Sequence, residues 1–256
     1  MKKFKKSPLT DKPLRNPGQS LDEEINKIYR DDINDYAMWA GVVIMLAGME
    51  WWRWYAHTPY APITYSVLAI IVTVFSGYKI YKLKLRVSNL KLGRDGERAV
   101  GQYLELLREK GCRIFHDIVG DNFNLDHVII SEHGVFVIET KTYSKPKTGG
   151  AKIIINTEQL SINGYHPDKD IIIQAKAEAN WLKGVLRETS GKDVFIKPVI
   201  VFPGWYIDSS HASKNLDVWV LNPKALPTYI TNTPKILSTE DMMLLSYHIS
   251  RYIRSS

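Results

Sequence analysis

Asn124-Leu125-Asp126-His127-Val128-Ile129-Ile130-Ser131-Glu132-His133-Gly134-Val135-Phe136-Val137-Ile138-Glu139-Thr140-Lys141 is the stretch on which the fold turns. Residues 128–130 and 135–140 are β-rich runs, and Ser131-Glu132-His133-Gly134 between them is a turn, so the stretch reads as a β-hairpin. The second run ends in Glu139 and Lys141, two residues apart, and strand alternation sends both to one face. With the turn centred near Glu132 and His133, Asp126 falls opposite Glu139 or Thr140. Two carboxylates and a lysine then meet at one end of the hairpin. A hard divalent cation needs such a place: carboxylate oxygens, a nearby backbone carbonyl, and open positions for water and a phosphate. A lysine beside it can stabilise charge on the phosphate, or orient or deprotonate an attacking water. The plainer alternative is a surface ion pair between Glu139 and Lys141, with Asp126 a turn residue. Asp126 tells against it, because an acid directly before an apolar strand costs desolvation unless it is exposed or bound. His127 is a further candidate ligand, but a lone His is more often structural, and it stays outside the set.

Elements on either side supply two more candidates. Residues 92–110 read as a helix, with Val100, Tyr103, Leu104 and Leu107 at helical spacing. Glu97 lies on the same stripe, where an ionised carboxylate needs a partner: a cation, the Lys141 ammonium, or the helix dipole alone. Gly93 and Gly96 before it suggest a close backbone approach. Residues 152–156 form a short strand and 170–187 a second helix, whose inner stripe opens with Gln174. That amide can hold a water or phosphate, or cap sheet backbone. Strands at 194–202 and 217–221 and a terminal helix at 238–253 follow. Helix, hairpin, strand, helix, strand, strand, helix is an α/β pattern, a mixed sheet flanked by helices.

The N-terminal third is different in kind. Residues 1–35 are polar, Lys-rich and interrupted by Pro8, Pro13 and Pro17, and read as a mobile tail with a short helix near 22–29. Residues 36–82 hold two apolar runs joined by a Pro-containing turn, each approaching the roughly 20 residues that cross a bilayer. Trp51, Trp52, Trp54 and Tyr55 end the first run as an interfacial belt would. The expectation is a two-helix transmembrane hairpin; the alternative is a buried hairpin of a soluble domain, since Glu50 and Arg53 make the first span marginal. Lys and Arg flank the pair and are missing from its turn. The positive-inside rule then places both termini in the cytoplasm, at the inner membrane, against a secreted or periplasmic enzyme. No cleavable signal peptide is expected.

Composition sets outer bounds. In 256 residues, 45% hydrophobic and 24% charged, a folded domain is expected and global disorder excluded. The net charge of +7 suits nucleic acid or an anionic membrane without choosing between them. The single cysteine, Cys112, excludes an intrachain disulfide and a cysteine-rich zinc site.

Gly93-Arg94-Asp95-Gly96-Glu97, then Asn124-Leu125-Asp126-His127-Val128, then Gly134 to Lys141, and Gln174 together resemble the nuclease-related domain (NERD) family of the PD-(D/E)XK nuclease-like superfamily. The resemblance spans residues 92–203 within a domain taken as 87–256. It implies a restriction-endonuclease-like core and Mg²⁺-dependent (or Mn²⁺-dependent) phosphodiester cleavage. Asp126 and Glu139 would be the metal ligands, Lys141 the catalytic lysine and Glu97 the helix acid, with Gln174 beside them. Leu125 stands where the superfamily name has Pro, which removes no chemistry. The expected function is a membrane-anchored nuclease acting on DNA in preference to RNA, with Lys145, Lys147 and Lys152 available to the phosphate backbone. The competing reading is a non-catalytic membrane adaptor that binds nucleic acid or protein. Trp205, Tyr206 and Trp219 could stack on bases, though core packing is the commoner role.

Overall fold

The computed structural model describes residues 12–58, 61–146, 150–156, 159–166, 171–210 and 217–255. They fall into two compact units, one of residues 20–92 and one of 93–256 together with the segment ahead of residue 20.

In the first unit, α1 (Gln19–Lys27) passes through a π-helical turn (Ile28–Ile33) into α2 (Asn34–Tyr55), and α3 begins at Pro62. Residues 1–11 of the expected tail lie outside those described. α3 does not begin at Leu92, as the sequence suggested, but runs unbroken from Pro62 to Arg108. Residues 82–92 contain neither Pro nor Gly, and their Lys, Leu and Arg sustain a helix across the change from apolar to charged sequence. α2 and α3 pair through Trp51 Nε1, which donates to Ser66 Oγ at 2.9 Å, and through the edge-on rings of Tyr36 and Phe75. Glu50 accepts from Arg53 at 2.7 Å and from the Ala61 N–H at 2.9 Å, so the charges that made the first run marginal satisfy one another near the turn. Ile25, Ile28 and Val87 form a small core. Most large apolar side chains on the pair point outward, among them Trp52 and Met45 on α2 and Ile70 and Val74 on α3. Among the described residues, α3 is the one helix long and apolar enough to cross a membrane, by length and composition.

The second unit is α/β. Its main sheet runs β1 (Arg113–Val119), β2 (Asn124–Ser131), β3 (Gly134–Thr140), β6 (Ile196–Val201), β8 (Trp219–Leu221). The first three strands are antiparallel, whereas β6 and β8 lie parallel to β3. A parallel partner needs a crossover, and between β3 and β6 the chain forms α4 (Ile171–Ser190) and two strands of a small second sheet, ordered β5 (Gln159–Ile162), β4 (Lys152–Asn156), β7 (Tyr206–Asp208). A short 3₁₀ turn, α5 (Leu226–Thr231) and α6 (Thr239–Ser255) follow.

Alternation along the strands loads both faces. Val128, Ile130, Val135 and Val137 pack on Leu182 and Leu186 of α4 and on Leu245 and Ile249 of α6. Ile129, Phe136 and Ile138 pack on Val100, Leu104 and Leu107 of α3 and on Leu226 and Ile230. The segment after residue 203 is thus part of the same core, supplying an edge strand and a covering helix. Strands β1, β5 and β7 were not foreseen; His116 and Asp117 interrupt the apolar pattern of β1, and the other two are three or four residues long. Because Val135 and Val137 face α4, the next residues of that parity, Glu139 and Lys141, face it too.

Candidate active site

The β2–β3 hairpin has its last hydrogen-bonded pair at His127↔Ile138. One residue further, the same register brings Asp126 level with Glu139. Asp126 also ties the strands directly, accepting the Thr140 N–H through Oδ2 at 2.6 Å. Glu139 is 4% exposed, at the end of a strand paired on both sides. Its Oε1 receives the Lys141 ammonium at 2.6 Å and the Gln174 Nε2 at 2.9 Å. The same amide closes a ring, since Gln174 Oε1 accepts from Lys141 Nζ at 2.9 Å. Gln174 Nε2 also donates at 2.8 Å to Glu178, one turn further along α4. Glu97, on α3, is buried and accepts the backbone N–H of Gly18. Gly96 makes the close approach its position suggested: a Cβ there would stand 1.7 Å from Thr142 Oγ1.

Crowded burial governs the charges. Desolvation, then the charges of Asp117 and Glu139, push the Glu97 carboxyl up to about 8, against the Gly18 N–H and Lys141. Desolvation and then Glu139 push Glu178 to about 8 as well. Asp126 is raised well above the ordinary range by burial, then by Glu139 and Glu97. Burial pulls Lys141 down, but the adjoining Glu139 outweighs it, and the lysine is held above its usual value as an ammonium. Among the described residues, Glu139 Oε2 and Glu178 Oε2 are buried with no hydrogen-bond partner. Buried carboxylate oxygens left unpaired are costly, and the arrangement is short of positive charge.

A hard cation fits that shortage. Among the described residues, no three His, Cys, Asp or Glu side chains stand together as a ligand group. A Mg²⁺ ion there would take one or two carboxylates and keep its waters and a substrate phosphate as remaining ligands. Asp126 and Glu139 could hold it, with Glu178 close behind. Held as an ammonium, Lys141 is suited to stabilising negative charge on a phosphate rather than to deprotonating water.

Of the sequence candidates, Asp126, Glu139, Lys141 and Gln174 are brought together by direct contacts or by register. Glu97 lies within electrostatic reach of Glu139 and Lys141, but its hydrogen bond goes to Gly18. Three residues of the cluster were missed. Glu178 is four residues after Gln174, so it shares its helical face, and that spacing was readable. Asp117 is buried on a strand distorted by its own φ of 51°, and Arg15 reaches it at 2.6 Å from a segment read as tail. Nothing local in the sequence signals that pair. His127 is not beside the carboxylates: its Nδ1 meets His116 Nδ1 at 2.8 Å on the α3 face. Lys152 is engaged by Asp208 at 2.8 Å, and Lys147 lies outside the described residues. Trp205 is core, Trp219 stacks on Phe136, and Tyr206 is exposed.

The second unit is of the α/β class, a mixed sheet with two acids and a lysine at the end of a central hairpin. Residues 92–203, under half of the chain, match the family model described as nuclease-related domain, a match consistent with a PD-(D/E)XK-like nuclease superfamily. An uncharacterized protein of Bacillus anthracis is 39% identical over 56 residues, 20% of this chain and 26% of that protein. The chain thus matches about a quarter of that relative's length. No solved structure matches.

Proposed function

We propose that the protein is a membrane-anchored, metal-dependent nuclease that hydrolyses phosphodiester bonds, in DNA rather than RNA, at the cytoplasmic face of the inner membrane. The observation that carries this reading is the ring of Glu139, Lys141 and Gln174 beside Asp126, with Glu139 Oε2 and Glu178 Oε2 buried and without a hydrogen-bond partner among the described residues. A bound Mg²⁺ would supply Lewis acidity toward the scissile phosphate and acidify a water. Asp126 and Glu139 offer the oxygens to hold it, and Lys141 places a fixed positive charge where the phosphate gains negative charge. Gln174 fixes the Lys141 ammonium and Glu139 relative to each other, so neither must reorganise during the reaction.

Two further features support substrate and location. A groove of about 780 Å³ between the edge strand β1, the end of α3 and α6 is lined by Arg108, Arg113, Arg251 and Arg254, with Tyr247 beside them. Arginine forks suit phosphate oxygens, and a concave basic groove follows a nucleic-acid backbone better than a flat bilayer. The outward apolar side chains of α2 and α3 suit a lipid surround, and the lysines and arginines flanking both runs favour the inner leaflet.

The test is cleavage of supercoiled plasmid, linear duplex, single-stranded DNA and RNA by the full-length protein with Mg²⁺, Mn²⁺ or EDTA, alongside Lys141→Ala. Metal-dependent cutting of DNA that falls by about 10²–10³-fold in Lys141→Ala is expected. Metal-independent binding without scission would replace this reading with the adaptor.

A further inference from the structure

The segment ahead of α1 does more than lead to the helices. Asn16-Pro17-Gly18-Gln19 is a tight turn, closed by the Gln19 N–H on the Asn16 carbonyl at 3.2 Å and by the Asn16 N–H on Gln19 Oε1 at 3.1 Å. Pro then a residue of positive φ is the order such a turn requires, and Gly18 has φ +69°. The turn is seated against α3 with no spare room. A Cβ on Gly101 would stand 2.6 Å from Pro17 Cγ, and a Cβ on Gly18 2.9 Å from Arg94 Cγ. Both glycines are therefore needed for the approach. From this seat the segment touches two members of the carboxylate cluster. The Gly18 N–H donates to the Glu97 side chain, and Arg15 Nε donates to Asp117 Oδ2 at 2.6 Å, an ion pair whose side chains are 18% and 3% exposed.

We propose that residues 15–18 are a built-in strap of the acid site, in which Arg15 positions Asp117 and Gly18 positions Glu97. The inference rests on the nuclease reading above and deepens it. Residues 92–203, the part that matches the family, would then not be sufficient for the site. Its buried acids take a guanidinium from 102 positions earlier and a backbone N–H from 79 positions earlier, ahead of both apolar runs. The strap brings positive charge to a cluster of five acids (Glu97, Asp117, Asp126, Glu139 and Glu178) that also holds Lys141. Removing it takes the Arg15 guanidinium from the buried Asp117, so the acids facing the cation would shift or spread. Arg15 and Gly18 act through Asp117 and Glu97 and are positioning residues.

The experiment uses the full-length protein and the variants Arg15→Ala, Arg15→Lys, Pro17→Ala and Arg15→Ala/Asp117→Asn, with three readouts: Mn²⁺ affinity, kcat and KM for cleavage, and thermal melting. Arg15→Ala should weaken Mn²⁺ binding and lower kcat by about 10–100-fold with KM little changed, the size typical of groups that orient metal ligands. Arg15→Lys should recover most of the loss. Asp117→Asn in the Arg15→Ala background should recover part of it, by removing the stranded charge. Pro17→Ala, which loosens the turn without changing charge, should give a smaller loss of the same kind. Arg15→Ala with wild-type Mn²⁺ affinity and kcat would overturn the strap. So would losses that follow melting alone and are not rescued by lysine. A wild type that binds Mn²⁺ and cuts nothing would sink the nuclease reading while the Mn²⁺ affinities still decide the strap. A wild type that neither binds nor cuts would overturn both.

Discussion

Asp126 and His127 are neighbours on β2, yet alternation sends them into two different buried polar clusters. On the α4 face, Asp126 joins Glu139, Glu178, Gln174 and Lys141, an arrangement with more acceptors than donors and two buried carboxylate oxygens unpaired. On the α3 face, His127 meets His116, and His116 Nε2 meets Glu105 Oε1 at 2.9 Å. Burial lowers the pKa of both imidazoles, in His127 reinforced by His116, so the pair sits neutral and one ring can donate to the other. One nitrogen, His127 Nε2, is left over. Both clusters have buried members, His116 and His127 in one and Glu139 and Glu178 in the other, and they differ in charge balance. A neutral pair that nearly closes on itself is what packing needs; a group of acids that repel one another is tolerated where an added cation completes it.

The comparison can be broken in three places. Gln174→Leu should cost the most: Lys141 and Glu139 lose their common clamp, and cleavage should fall by about 10–100-fold with the fold intact. Wild-type rates in that variant would mean that the amide only fills space. The second place is pH. Glu97 and Glu178 stand at about 8 when folded without a cation, above the ordinary glutamate value, so the folded protein holds protons that the unfolded chain has released. Their stabilisation is therefore full below about pH 4.5 and lost as pH rises towards 8. Calorimetry in EDTA should show melting falling by roughly 5 °C or more between pH 5 and pH 8. Mg²⁺ should cancel much of that fall, and Glu178→Gln should shrink it. A flat profile would mean the acids are better neutralised than their surroundings indicate. The smallest effect belongs to the other face. His116→Asn should cost about 1–3 kcal/mol of stability through a lost buried hydrogen bond, while Mg²⁺ affinity stays within about twofold of wild type. A large drop in affinity would join the two clusters into one site.

The hairpin could be read residue by residue because both of its signals are local: β-rich runs about a short turn, and two polar side chains two positions apart at the end of one of them. Gln174 was readable for a similar reason, from helical periodicity, and Glu178 would have followed from the same stripe. β1 was lost because His116 and Asp117 look like surface residues. They are buried only because one finds a histidine across the sheet and the other an arginine about a hundred positions earlier.

By itself, then, the sequence determined the β2–β3 hairpin, the α/β class, the two long apolar runs and the nearness of Asp126, Glu139, Lys141 and Gln174, since periodicity and spacing carry that information over a few residues at a time. Tertiary structure alone decided that α3 runs unbroken from Pro62 into the nuclease-related domain, and that His127 turns away from the acids. It also decided that Glu97 and Asp117 are met by Gly18 and Arg15. Those outcomes depend on which distant groups share a buried space, where a charge must find a partner or be neutralised, and no local pattern records the partner.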